Sequence, residues 1–127
     1  MSSTNKKIAI IGAGVAGLLA AVTAADRGAK VMLFEKMPKV GLKMGITGKG
    51  RCNLTNSAPI MDFIGKTPGN GKFLYSAYEA FSNEDLLELL HGYGLATKVE
   101  RGGRVFPASD DAQEVRHLFM RLLKEKK

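Results

Sequence analysis

An α/β chain that opens on a parallel strand–helix–strand unit is the fold class this sequence predicts, on three observations. A short β-branched apolar run, Ile8-Ala9-Ile10-Ile11, leads straight into Gly12-Ala13-Gly14-Val15-Ala16-Gly17. An uncharged stretch rich in Ala and Leu follows it. A second apolar run, Lys30–Phe34, is then closed by an acid, Glu35.

Each element has a local reason. The first run is of the kind buried in parallel sheets, where both faces are covered. Gly12 allows the sharp turn out of it, Gly14 leaves room for a ligand to approach the backbone, and Gly17 lets the next helix pack close. That helix is predicted from Val15 to Asp26, with Gly28 as its stop. Its N-terminal N–H groups and positive dipole end face the turn, which suits a pyrophosphate. Glu35 stands 18 positions beyond Gly17, close to the ~20 expected of the carboxylate that takes ribose hydroxyls. A carboxylate there repels a 2′-phosphate, so the expected ligand is a dinucleotide with an unphosphorylated adenosine half. Glycine triplets alone are weak evidence, since a buried turn without ligand also uses them. Strand, helix, strand and acid in this order make the signal much stronger.

Residues 36–59 follow as a basic segment with four glycines, Gly41, Gly45, Gly48 and Gly50. Loops of this length are functional or disordered. Wrapping around a polar ligand and a flexible surface loop are both open readings. Gly65-Lys66-Thr67 resembles the end of a phosphate-binding P-loop, but Ile60 occupies the place of its first glycine. Helices are predicted over Gly71–Phe81 and Asn83–Tyr93, the second capped by Ser82 or Asn83, with Leu86, Leu87, Leu89 and Leu90 as its apolar face. Thr97–Glu100 and Arg104–Phe106 read as a hairpin around Gly102-Gly103. A last helix, capped by Ser109 or Asp110, aligns Val115, Leu118, Phe119, Leu122 and Leu123.

The 127 residues, 45% hydrophobic and 24% charged, describe an ordinary globular chain with room for one domain. The net charge of +7 is less ordinary. It gathers in Lys36, Lys39, Lys43, Lys49 and Arg51, with no acid between positions 36 and 51. Beside a glycine turn, that patch suits an anionic cofactor better than nucleic acid, for which aromatic interleaving and a groove-reading helix are missing. Nucleic acid and membrane are therefore not expected as partners. The uncharged run from Ile8 to Ala25 has three glycines and continues into a strand, which argues against a membrane span or signal peptide.

A single cysteine, Cys52, excludes an intramolecular disulfide, and with no secretory signal the expected compartment is the cytoplasm. Arg51 beside it is expected to lower its pKa, although packing is its expected role. Asn53-Leu54-Thr55 is a chance sequon in that compartment. His91 and His117 read as helix residues, packed or at the surface. They share no ligand spacing, so no metal is expected. No catalytic acid, base or nucleophile can be named.

Three stretches, IGAGVAGLLAA at 11–21, GKGRCNLTN at 48–56 and RGGRVFPASDDAQEV at 101–115, resemble a bacterial family of NAD(P)/FAD-dependent oxidoreductases that includes aminoacetone oxidase and the bile-acid-inducible reductase. The first stretch is shared by many nucleotide enzymes, while the other two are specific. The resemblance covers nearly the whole chain and implies a Rossmann-like FAD-binding βαβ unit, followed by helices and a short β-hairpin. It implies FAD as cofactor, with NAD(P)H as a co-substrate and an unassigned small-molecule substrate.

In that reading Gly12, Gly14, Ala16 and Gly17 hold the pyrophosphate and Glu35 the ribose. Lys36, Lys43, Gly50, Arg51, Cys52, Asn53 and Asn56 lie along the cofactor toward the flavin, with the hairpin at Arg104–Pro107 nearby. The chain departs from the family pattern at Lys49, where a small residue, usually glycine, is expected. Family members are also longer. The chain is therefore read as the N-terminal portion of an FAD-binding domain: fingerprint unit 1–35, cofactor loop 36–59, helical region with hairpin 60–127. Such a portion is expected to leave an unpaired sheet edge that favours oligomers. An NAD-dependent dehydrogenase and a non-catalytic nucleotide-binding remnant are the alternatives.

Overall fold

The protein is described by a computed structural model over residues 6–126. These form two compact units: the residues up to Cys52 together with those from Asp111 onward, and Asn53–Asp110.

In the first unit β1 (Lys7–Ile11) and β2 (Lys30–Phe34) pair in parallel, from Lys7 opposite Lys30 to Ile11 opposite Phe34. The crossover between them is α1 (Val15–Asp26), as the sequence predicts. Gly28 adopts a φ of 81° just past the helix and donates its N–H to the Ala25 carbonyl at 2.9 Å, a left-handed stop. The first two glycines of the turn do different work: Gly12 has a φ of 96°, whereas Gly14 is extended and open to solvent. A Cβ on Gly17 would stand 1.9 Å from the Gly12 carbonyl oxygen, so only glycine lets α1 approach the strand this closely. Leu18, Ala21 and Val22 of α1 are buried. So are Val115, Leu118, Phe119 and Leu122 of α5 (Ala112–Glu125), which packs against α1. Complete burial of each large side chain contributes about 2 kcal/mol. Lys126 pairs with Asp26, joining the ends of the two helices.

The second unit is built on an antiparallel sheet ordered β3 (Thr55–Asn56), β5 (Arg104–Pro107), β4 (Thr97–Val99). Val105, Phe106 and Pro107 of the central strand are buried. Around it lie α2 (Ile60–Lys66), α3 (Tyr75–Ala80) and α4 (Asn83–Gly92). A reciprocal cap starts α4: Asp85 N–H donates to Ser82 Oγ at 3.1 Å, and Ser82 N–H donates to Asp85 Oδ2 at 2.7 Å.

Several expectations change. Neither parallel strand is fully buried: Ile11 of β1 is 83% exposed and Phe34 of β2 52%. Among the described residues the parallel sheet has two strands, with α1 packed on it and α5 packed on α1. The segment 36–59 is not a bare loop, because it holds a kinked 3-10 turn at Met44–Gly50 and the strand β3. The helix expected over Gly71–Phe81 is a 3-10 turn, Gly71–Leu74, followed by α3. A Cβ on Gly71 would meet the Ile64 carbonyl oxygen at 2.2 Å, so close packing fixes that residue. Helix α2 carries no long periodic pattern and was not anticipated. The cap of α5 is Asp111, whose Oδ1 accepts the Gln113 N–H at 2.8 Å, rather than Ser109 or Asp110. Asp110 instead has a φ of 57°, outside the extended range of a capping residue.

Gly17→Ala is expected to destabilise the chain by about 3 kcal/mol, because the new methyl meets backbone that cannot rotate away. Gly14→Ala should change stability by less than about 1 kcal/mol. Urea unfolding followed by circular dichroism checks both, and equal effects would contradict this division of roles.

Candidate functional site

The glycine turn is braced from both sides through one residue. Ala13, 1% exposed, donates its N–H to Glu35 Oε2 at 2.7 Å and accepts the Gly41 N–H on its carbonyl at 2.8 Å. Glu35 Oε1 accepts a second backbone N–H, from Met37, at 2.8 Å. These bonds, the Met37 one first and the Ala13 one next, hold the Glu35 carboxyl below its ordinary pKa, and the Lys36 charge adds to them. Glu35 is therefore an ionised acceptor at neutral pH. A carboxylate has about four lone-pair sites, so two N–H bonds leave capacity for hydroxyl donors.

Beyond Ala13 the turn opens outward. Gly14, Val15 and Ala16 are exposed, and no side chain caps the first turn of α1. A Cβ on Gly14 would meet nothing within 4 Å. Unfilled N–H groups, an open approach and an ionised acid at the end of β2 form a donor set that fits a dinucleotide pyrophosphate and its ribose. The order of these features is the one the sequence predicts.

The basic segment starts from this brace. After Gly41 the chain is fixed from beneath by buried Met44 and Cys52. Thr47 Oγ1 donates to the Met44 carbonyl at 2.9 Å, and Cys52 N–H to the Thr47 carbonyl at 3.0 Å. Lys36 and Lys43 are exposed, Gly50 and Arg51 half-buried. The structure thus gathers Gly12, Gly14, Ala16, Gly17, Glu35, Lys36, Lys43, Gly50, Arg51 and Cys52 within one unit.

Asn53 and Asn56 belong to the second unit, where their amides serve backbone groups. Asn56 donates to the Gly102 carbonyl at 2.8 Å and accepts the Ala58 N–H at 2.9 Å. The Asn53 amide, with its NH2 turned inward, reaches the carbonyls of Thr55 and Val105 at 3.0 and 3.3 Å.

Cys52 corrects an expectation. Its thiol is pushed up, not down, because burial disfavours the thiolate by more than the Thr47 hydrogen bond favours it. A neighbour in sequence, Arg51, does not decide the matter once the sulfur is out of water. His91 Nε2 lies 2.7 Å from Thr97 Oγ1, and His117 is exposed.

Arg116 escaped the sequence reading. Only 9% exposed, it donates from Nε to the Val40 carbonyl at 2.7 Å and from Nη1 to Gln113 Oε1 at 3.3 Å, holding the start of the basic segment. Its position on the apolar stripe, four residues from Ala112 and one from Val115, was the available signal.

With this geometry in place, comparison with known proteins is decisive. The family described as HI0933-like protein Rossmann domain matches residues 6–127. The chain belongs to that family. It is an FAD-binding Rossmann domain.

It is 39% identical over 126 residues to a 3-dehydro-bile acid delta(4,6)-reductase from Clostridium scindens, covering 95% of this chain and 29% of that protein. It is 33% identical over 111 residues to a ribosomal RNA dihydrouridine synthase from Escherichia coli, covering 84% and 26%. The chain thus spans less than a third of each relative. The crystal structure of THI4 from Thermovibrio ammonificans shares the fold, with a TM-score of 0.61 at 18% identity over 97% of this chain and 36% of that one. Relatives named for ribosomal RNA remove the ground on which nucleic acid was set aside as a partner. No described helix is long and apolar enough to cross a membrane.

Two outcomes check the site. Cys52 should resist thiol reagents at neutral pH in the folded chain and react at the rate of a free thiol in denaturant; rapid native labelling would contradict its burial. Glu35, with its pKa lowered on folding, contributes stability that is complete above the ordinary carboxyl pKa and is lost as pH falls through the lower folded value. Glu35→Gln should therefore flatten the acid limb of the stability–pH curve, read from urea midpoints.

Proposed function

We propose that this chain is the cofactor-holding part of a reductase that delivers hydride through FAD to an electron-poor carbon–carbon double bond. The observation that carries this reading is the braced turn, in which Ala13 links an ionised Glu35 to an open, uncapped helix start. Gly12, Gly14, Ala16 and Gly17 bind the pyrophosphate through backbone N–H groups, and Glu35 accepts the ribose hydroxyls. Lys36, Lys43 and Arg51 offset the phosphate charge, with Gly50 and Cys52 completing the cofactor's surroundings within the same unit. When bound, FAD supplies the hydride chemistry. The residues of this chain bind it, orient it and set the local field.

The bond class is suggested by the two relatives, whose names denote reduction at a steroid delta(4,6) system and at the uridine ring. NAD(P)H is the reductant in this proposal, a small organic molecule the substrate, and a reducing cytoplasm the compartment. RNA is the second reading of the substrate, favoured by the +7 charge and by the ribosomal RNA relatives.

The test is FAD uptake by the complete protein, followed by flavin absorbance after gel filtration. Gly14→Ala should lower FAD affinity at least tenfold, because its methyl occupies the ligand approach, while leaving stability nearly unchanged. Glu35→Gln should lower it by about tenfold as well, the scale of a hydrogen bond to a charged group. A colourless protein that binds NAD in place of FAD would sink the reading.

A further inference from the structure

Within the basic segment two non-glycine residues, Lys49 and Cys52, have left-handed φ, and of these only Lys49 is exposed. Lys49 has φ 58° and ψ 42°, in the left-handed region, between Gly48 at φ 56° and Gly50 at φ 84°. Only a few per cent of non-glycine residues sit there, and a long unbranched side chain gains nothing locally from doing so, unlike Asn or Asp. Glycine would adopt the same backbone without cost. The other lysines of the segment, Lys36, Lys39 and Lys43, have negative φ. Strain of this kind is informative when the surroundings enforce it.

Here they do. The 3-10 turn is pinned from below by buried Met44 and Cys52, and its side is closed by Gln113, whose Nε2 would stand 2.8 Å from a Cβ on Gly45. At its start, the Gly41 N–H ties the segment to Ala13 of the glycine turn. The outer side is open: Lys49 is exposed, and a Cβ on Gly50 would meet nothing within 4 Å. Lys49 makes no hydrogen bond or ion pair among the described residues, and no acid lies between positions 36 and 51 to receive it. The result is an exposed ammonium whose backbone is anchored, with no counter-charge among the described residues, on a segment tied to the glycine turn.

Resting on the proposed flavoenzyme reading, we infer that Lys49 is a specificity-determining residue that pairs with an oxyanion, a carboxylate or a phosphate monoester, carried by a small organic substrate. A fixed turn presents the charge at a defined place, which suits one anionic group better than a diffuse polyanion track. The cofactor's own pyrophosphate is the other source of an oxyanion. It already has the uncapped start of α1 as its donor set.

The experiment compares the complete protein with Lys49→Gly, Lys49→Gln and Lys49→Arg. Calorimetry reads binding of benzoate and phenyl phosphate, with benzamide as the neutral control, and flavin fluorescence reads the FAD dissociation constant. Lys49→Gly and Lys49→Gln should weaken the anions about tenfold, as loss of a charged hydrogen bond does. Lys49→Arg should restore them, and benzamide and FAD affinities should stay within about twofold, that is, within experimental spread. Lys49→Gly should also melt about 2 °C higher, since relief of the left-handed strain outlasts the loss of charge. A fall in FAD affinity without a fall in anion affinity would assign Lys49 to the cofactor and overturn the inference. So would unchanged anion binding in Lys49→Gly and Lys49→Gln, or a wild-type protein that binds neither anion better than benzamide. Failure of the wild type to take up FAD speaks only against the flavoenzyme reading, because the calorimetric comparison does not use the flavin.

Discussion

The order of the ligand-binding unit refers back to the backbone of Ala13. Its N–H is fixed by Glu35 from the end of β2, and its carbonyl is fixed by Gly41 from the start of the basic segment. Gly17 makes this possible by letting α1 approach within van der Waals reach of Gly12, where any Cβ would collide. The turn is thus held by backbone geometry on one side and by a charged acceptor on the other. A hydrogen bond to an ionised carboxylate is roughly twice as strong as a neutral one. That strength is spent on a turn whose outer surface remains free, the arrangement a preorganised anion site requires.

The basic segment inherits its order from the same brace. Arg116 grips Val40 from α5 while Gly41 grips Ala13, so the chain enters the 3-10 turn from a fixed direction. Met44 and Cys52 then bury themselves beneath it. In this way a stretch rich in glycine and lysine, which composition alone would leave mobile, acquires one conformation. Its charges are displayed on the solvent side because the apolar residues have taken the inner positions.

What the sequence reveals depends on whether the decisive interaction is local. The turn, α1 and β2 were legible because strand, glycine spacing, helix and acid lie within thirty positions and each has its own local cause. The cap at Ser82 was legible for the same reason. Four features were not. Helix α2 is too short to carry periodicity, and the break at Gly71 is set by contact with Ile64. The elevated Cys52 pKa comes from burial by distant residues, against which the adjacent Arg51 was a poor guide. Arg116 serves a carbonyl 76 residues away in sequence, and its charge argued for the surface when its place on the stripe argued for the core. Long-range desolvation and long-range partners are the physical quantities a linear reading does not contain.

The two-stranded parallel sheet has a further consequence. Its uncovered face carries Lys7 opposite Lys30 at one end, then Ala9 opposite Met32 and Ile11 opposite Phe34 at the other. Parallel sheets are normally covered on both faces, and an exposed apolar patch of this kind is a surface suited to cover by another element. The paired lysines act as electrostatic gatekeepers at one end only. Ionic strength therefore acts unequally on the two ends of this face: raising salt screens the lysine pair over a Debye length of about 8–10 Å and leaves the Ile11–Phe34 end as apolar as before.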